Sequence, residues 1–458
     1  MLNSDDQPDD IGQSADDPLS ESLMLDLSGS GAVKAADLEF DQLIRENQLE
    51  ESDVAAPGLE VLPPLESSGM NEWYTYGVDH IRRRKWHVAS EAFERALSAD
   101  VGRNAVRSAR AMACLGYALM KSGRAQESIA QYRGAIDIVP DMAGAHTGLA
   151  AAMLRVSDQA AAIKALAAAI RVVKNSVGLN FNYGNLLAAA GQPEEAKAAF
   201  FAALAQDEHH VPSLTNLGAL HAKHDRLDDA LDAFSRAYAA APRRARRARY
   251  NMSLVLGRLK QWDEAMQTLR ALMEEHPDAT RPRILAARIL RCAGRYLEAI
   301  EVLDNYMEWP SRMAPACEML GLVHHDLGNA DQAMAFWHEA LRADPRFVRV
   351  HVHIARAHLH AGAVLEAEVA IRAAVELRPE RAASWTVSGQ IDFAQGRFDQ
   401  AIGSLERAVE LNPADAEAQY WLGRSHLSNG SMIGAIRQCE QLESISPQHA
   451  ARLRARVY

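Results

Sequence analysis

The chain is poor in the residues that small-site chemistry uses. Its four cysteines, Cys114, Cys292, Cys317 and Cys439, lie far apart and none belongs to a Cys-x-x-Cys pair. That spacing excludes a disulfide framework and a sequence-local zinc site, and fits a reducing compartment. Aromatic residues make up only 6% of the chain. No apolar run approaches the roughly 20 residues that a membrane-spanning helix requires. The opening Met1-Leu2-Asn3-Ser4-Asp5-Asp6 lacks the basic and apolar segments of a secretory signal. The expected setting is therefore soluble and cytoplasmic, with no membrane span. A Walker loop, a Gly-x-Gly-x-x-Gly element and a nucleophile–base constellation are all missing. The sequence implies no cofactor, no metal and no enzyme activity, and it ends nine residues past its periodic part, leaving no further catalytic domain in view.

Charge is unevenly spread. The formal net charge is -11, but residues 1–69 hold 17 Asp or Glu against only Lys34 and Arg45, a balance of -15. The remaining 43 acidic and 47 basic residues give a body of +4. The leader is rich in Asp, Ser, Glu and Pro, too polar to bury the surface that would offset chain entropy, so it is expected to be disordered. Two patches interrupt it. Leu23-Met24-Leu25-Asp26-Leu27 is an apolar cluster, and Ala36, Phe40, Leu43 and Ile44 fall at roughly helical spacing.

From Met70 a small residue recurs at Ala89, Ser128, Ala162, Ala196, Ala230, Ala265, Ala299, Ala333, Ala367, Ala401 and Ala435, mostly at steps of 34. A fixed period of this length denotes one helix-turn-helix unit copied along a solenoid. Placing that residue at position 20, eleven units begin at Met70, Ala109, Ala143, Val177, Val211, Arg246, Thr280, Ala314, Val348, Ala382 and Ala416. Position 8 is always small, as at Gly77, Gly184 and Gly389, so the two helices of a unit can approach closely. A large residue at position 24, such as Phe93, Tyr132, Phe200, Phe234 or Trp337, is expected to fill the space between units. Proline at position 32, from Pro140 to Pro447, is expected to end the second helix.

This pattern resembles the tetratricopeptide repeat family, and the unit carrying Trp385, Gly389, Ala401, Leu405, Ala408 and Pro413 is among its nearest matches. The resemblance covers residues 70–449. It implies an all-α fold: antiparallel helix pairs in a right-handed superhelix (α-α solenoid) of about eleven repeats, with first helices lining a concave groove. Residues 450–458 form a short cap or tail in which Arg452, Arg454 and Arg456 would solvate the last face.

In this family positions 2, 5, 6, 9, 12 and 13 point into the groove. Those positions carry Arg82, Arg110, Lys121, Arg155, Lys223, Arg247, Arg258, Arg281, Arg288, Arg291, Arg349, Arg356 and Arg424, against only Glu318, Asp326 and Glu417. A one-signed concave surface focuses field on ligands of the opposite sign. Asparagine at position 6 in three successive units, Asn182, Asn216 and Asn251, with Asn185 at position 9, can pair with a peptide main chain whatever its sequence. This is similar to the asparagine ladder of the nucleocytoplasmic glycosyltransferase that adds N-acetylglucosamine. Asn185, Asn216 and Arg247 also resemble part of the carboxylate clamp of co-chaperone repeats, but Phe181 and Asn251 stand where basic residues are expected.

The sequence thus points to an adaptor or scaffold that binds an extended, acidic peptide of a protein partner. The expected site is Asn182, Asn185, Asn216, Lys223, Arg247, Asn251, Arg258, Arg281, Arg288 and Arg291. The chain's own residues 1–69 are a possible intramolecular occupant, and the alternative is a structural subunit of a larger enzyme or envelope-assembly complex using end-face contacts. Arg243, Arg244, Arg246, Arg247 and Arg249 form a basic run, yet an acidic chain with only Tyr250 nearby argues against nucleic acid. His351, His353, His358 and His360 lack the spacing of a helical metal pair, and a single His221/His224 pair is too little for a site. His221, His324, His358 and His426 share position 11 and are expected to be core filler.

Overall fold

A computed structural model describes residues 63–65, 68–99, 104–304 and 310–457, without the side chains of 310–313. The acidic leader and its two apolar patches lie outside the described residues, apart from 63–65 and 68–69. Among the described residues there are 23 helices and no strands. Contacts divide them into two units that meet in sequence at Val255 and Leu256.

In the N-terminal unit the helices are α1 (Met70–Arg82), α2 (Trp86–Ala99), α3 (Ala105–Lys121), α4 (Ala125–Ile138), α5 (Ala143–Arg155), α6 (Gln159–Val172), α7 (Val177–Ala189), α8 (Pro193–Leu204), α9 (Val211–Lys223), α10 (Leu227–Ala240) and the start of α11 (Arg246–Arg258). In the C-terminal unit follow α12 (Trp262–Glu275), α13 (Thr280–Cys292), α14 (Tyr296–Asp304), α15 (Pro310–Asp326), α16 (Ala330–Ala343), α17 (Val348–His360), α18 (Val364–Leu377), α19 (Ala382–Ala394), α20 (Phe398–Leu411), α21 (Ala416–Ser428), α22 (Met432–Ile445) and α23 (Pro447–Val457).

The recurrent small residue at position 20 is fully buried in every repeat, at most 1% exposed. Where position 8 is glycine, it lies against the large residue at position 24. A Cβ at Gly77 would lie 2.8 Å from Phe93, one at Gly184 would lie 2.7 Å from Phe200, and one at Gly218 would lie 2.8 Å from Phe234. The large residue at position 24 thus seats on the glycine of its own repeat, a contact that comes in addition to the expected filling between repeats. Tyr132 does both, touching the Cα side of Gly116 and of Gly148 in the following repeat.

Each turn between paired helices passes through a left-handed residue at position 15. Glycine takes it at Gly123, Gly191, Gly294, Gly328, Gly362, Gly396 and Gly430, but Arg84, Ser157, Asp225 and Lys260 adopt it with φ of 58–63°. A Cβ makes that conformation costly, so these four turns carry strain that the other seven avoid.

The second helices stop two residues before the position-32 prolines: α10 ends at Ala240 ahead of Pro242 and α20 at Leu411 ahead of Pro413. The proline carbonyl then takes a hydrogen bond from the side chain at position 4 of the next repeat. His146 Nε2 lies 2.8 Å from Pro140 O, His351 Nε2 lies 3.1 Å from Pro345 O, Trp385 Nε1 donates to Pro379 O at 2.8 Å and Gln419 Nε2 to Pro413 O at 2.5 Å. Chemically unlike residues share one task there, because each offers an N–H at the same reach.

The last repeat departs from the rule at position 24, where Cys439 is too small to cover Gly423. Helix α23 makes good the difference: Leu453, fully buried, packs onto Gly423, with Ala450 buried beside it. Arg452, Arg454 and Arg456 are exposed on α23, and Arg454 pairs with Glu443 of α22.

Candidate functional site

In the N-terminal unit the position-6 asparagines stand on three successive first helices. Asn182 and Asn185 lie on α7, Asn216 on α9 and Asn251 on α11. All four are buried, Asn182 to 1% exposure and Asn251 to 0%. Asn216 Nδ2 donates to Asn185 Oδ1 at 2.6 Å, so these two amides bridge neighbouring repeats. Asn182 differs: neither its Oδ1 nor its Nδ2 has a partner. Of the basic residues expected with them, Lys223 is exposed and Arg247 half-buried.

The arginine run does not form one exposed patch. Arg243, Arg244 and Arg246 are exposed, whereas Arg249 occupies position 4 and is 2% exposed. Its guanidinium lies 5.2 Å from the ring centroid of Tyr238, an exposed side chain of the preceding repeat.

In the C-terminal unit Arg258 and Arg288 are half-buried and Arg281 is exposed. Arg291 pairs with Asp326 at 3.1 Å. The other two inward carboxylates are paired as well: Arg349 Nη2 meets Glu318 at 2.6 Å, and Arg356 Nη2 meets Glu417 at 3.1 Å. The basic excess read from the sequence is therefore partly neutralised in place. Burial works to raise the Glu318 pKa, but the hydrogen bond from His353 and the charges of Arg349, His353 and Arg288 outweigh it and hold the carboxyl below its usual value.

Sequence reasoning missed Gln390, whose Nε2 donates to Glu417 at 2.6 Å, because a charge census passes over an uncharged amide. It also missed the position-4 histidines as tethers. Of the position-11 histidines His221 is buried, whereas His324, His358 and His426 are only half-buried; His324 stacks on Phe336 with centroids 5.2 Å apart, and burial pushes the pKa of His221, His324 and His426 down. Burial pushes the Cys114 thiol up to about 12 and Cys317 to about 11, so neither is a reactive thiolate. Among the described residues no group of three or more metal-ligating side chains comes together, and no helix is long and apolar enough to cross a membrane.

Family models described as tetratricopeptide repeat match residues 74–143, 115–176, 181–245, 318–382 and 387–450, and a further one matches 247–279. Among curated proteins, human Protein O-mannosyl-transferase TMTC1 is 24% identical over 159 residues, covering 33% of this chain. The chain spans only 18% of that relative's length. Among solved structures, yeast Tom70 matches with a TM-score of 0.50 at 14% identity, covering 84% of this chain and 95% of that one. A tetratricopeptide repeat protein from Parabacteroides merdae matches with a TM-score of 0.45 at 17% identity, covering 60% and 95%.

Proposed function

Because the chain belongs to the tetratricopeptide repeat family, a fold of protein-interaction scaffolds, we propose that it is a non-catalytic adaptor holding an extended, acidic peptide of a protein partner against its first helices. The observation that carries this reading is the amide row of α7 and α9. Asn185 and Asn216 hold each other, and beside them the Asn182 amide is buried with neither polar atom paired. A buried amide without partners costs on the order of 1–3 kcal/mol. A peptide main chain offers both an N–H and a C=O, the two groups this amide lacks, and it would meet them by displacing the side chains that cover Asn182. Lys223 and Arg247 supply the preference for acidic side chains in the N-terminal unit, and Arg258, Arg281 and Arg288 supply it in the C-terminal unit. Replacing Asn182 and Asn216 by alanine and repeating an affinity capture from native cells is the direct test. Partner recovery should drop, and unchanged recovery would refute the reading.

The acidic leader, at -15, is a candidate competitor for the same basic residues. Tethering supplies an effective concentration of roughly millimolar, enough to make a weak contact inhibitory. Removing residues 1–69 should then tighten partner binding, and unaltered affinity would discard the idea.

A second reading, a subunit held by contacts outside the first-helix faces, is supported by apolar side chains on second helices of the C-terminal unit. Leu297, Leu365, Val369 and Ile433 are 68–78% exposed. Co-purification that is stoichiometric and insensitive to salt would favour it.

A further inference from the structure

Position 7 of the repeat is a large apolar residue or tyrosine except in two repeats of the C-terminal unit, which hold Ala286 and Ser388 there. An open cleft adjoins the first helix in both: 270 Å³ between α12, α13 and α14, and 160 Å³ between α18 and α19. The second cleft has a further cause. Position 11 is apolar or histidine in every other repeat, but it is Asp392 in the repeat of Ser388. Two bulky side chains that would pack against α18 are thus replaced by a hydroxymethyl group and a carboxylate. Closely packed interiors leave few such gaps, so this one is written into the repeat that borders it.

Ile371 and Val375 of α18 and Ile391 of α19 give the cleft aliphatic walls. Around them, Arg397 donates to Asp392 at 2.5 Å and to Glu368 at 3.3 Å, and Arg372 reaches Glu368 at 3.0 Å. These two carboxylates are committed to the two guanidiniums. Glu376, which also lines the cleft, is exposed and has no partner among the described residues, so the unspent charge is negative. Leu365, Val369, Arg372 and Glu376, at i, i+4, i+7 and i+11, share one outward stripe of α18. Leu365 and Val369 on that stripe are 73% and 68% exposed. A volume of 160 Å³ falls below the roughly 300 Å³ at which small-molecule sites begin, and suits a single side chain. Aliphatic walls leading to a carboxylate match lysine or arginine, whose stem is apolar and whose head is charged.

We infer that the cleft between α18 and α19 receives one lysine or arginine side chain of a partner protein, from a segment whose neighbouring aliphatic residue covers Leu365 and Val369. Seven residues separate Val369 from Glu376, about 10 Å along the helix at 1.5 Å per residue. An extended segment covers that distance in about three residues, so its pattern is aliphatic-x-x-Lys or aliphatic-x-x-Arg. An acidic segment would meet Glu376 and the exposed Glu366 and is excluded by charge. Ser388, Ile391 and Asp392 stand at positions 7, 10 and 11, none of them an inward position, and the site shares no residue with the Asn182 surface. It rests on the reading of a subunit held outside the first-helix faces, and supplies the chemistry of that contact.

The test titrates the full chain, with isoleucine and valine methyls labelled for NMR, with three Ser/Ala peptides. One carries Leu-Ser-Ser-Lys, one has norleucine for the lysine, and one has glutamate there. The lysine peptide should shift the Ile371, Val375 and Ile391 methyls saturably. The norleucine peptide should bind roughly fivefold more weakly, the scale of one exposed ion pair, and the glutamate peptide more weakly still. Glu376→Gln should weaken the lysine peptide by that factor and leave the norleucine peptide unchanged, because the loss belongs to the pair. Val369→Ser should weaken both, and Glu366→Gln, outside the cleft on the same helix, should leave the order of the peptides as it is. Ser388→Leu gives position 7 the leucine that other repeats hold there, and should abolish the shifts by filling the cleft. Should that variant melt early, the selective loss in Glu376→Gln decides. Absent shifts, equal affinity for the lysine and norleucine peptides, or tighter binding of the glutamate peptide would each overturn the proposal. A stoichiometric, salt-insensitive partner retained by both Ser388→Leu and Glu376→Gln would overturn this site and leave the subunit reading in place. Lysine-dependent shifts with no co-purifying subunit would support the site and count against that reading.

Discussion

Lys260 and Ser157 hold a left-handed turn that seven other repeats give to glycine. The turn itself is the same, so the Cβ is the removable part. Lys260→Gly and Ser157→Gly should each stabilise their repeat by about 1 kcal/mol, since an L-residue in this conformation costs roughly 1–2 kcal/mol and glycine gives part of that back in chain entropy. A rise in the midpoint of urea unfolding checks it. A second residue-scale expectation concerns the carbonyl of the position-32 proline. His351→Phe keeps a ring on α17 but leaves Pro345 O without its partner at 3.1 Å. A loss of about 1 kcal/mol is expected, the usual net worth of such a bond, read from the same unfolding curves. The position-15 glycines stood in the sequence at the repeat period, yet the four exceptions hid the rule. The position-4 donors were harder still to see, because histidine, tryptophan and glutamine share no chemical class and are united only by reach.

At the scale of the helix, the contact between positions 8 and 24 determines how closely each pair can pack. The alanine at position 20 and the glycine at position 8 were legible as small residues, and helix pairing follows from them. Which repeat the position-24 ring would serve was not legible, because a 34-residue spacing gives order along the chain but not the direction of a side chain. The end of the array shows the rule by its exception. Cys439 cannot cover Gly423, and Leu453 from α23 lies there instead. Leu453→Ala should cost about 2–5 kcal/mol, the usual range for truncating a buried leucine. The loss should fall locally, with hydrogen-exchange protection dropping in α21 to α23 before other helices of the C-terminal unit. Uniform loss across that unit would contradict the capping role.

At the scale of the whole molecule, charge and pH act through many groups together. Burial depresses the pKa of His210, His221, His324, His360, His426 and His449 below 6.5. A histidine with a lowered folded-state pKa favours folding above the unfolded value, and that contribution is lost as pH falls through the folded value. Melting temperature should therefore decline as pH drops below about 6.5. A flat profile between pH 7.5 and 5.5 would show that these rings are more open than their packing indicates. The sequence made the basic residues of the first helices countable, but their neutralisation was not countable. Glu318 and Glu417 were two entries in a census until the folded chain placed each against an arginine, and the Asn185–Asn216 bond likewise required two neighbouring helices.

The link from Arg356 on α17 to Glu417 on α21 passes over α19. In a linear array where each element couples only to the next, a boundary between folded and unfolded stretches can sit between any two repeats at similar cost. A second-neighbour bond adds to that cost at two successive positions, so α17, α19 and α21 are coupled beyond the contacts of adjacent elements, by the modest amount that a partly exposed ion pair contributes.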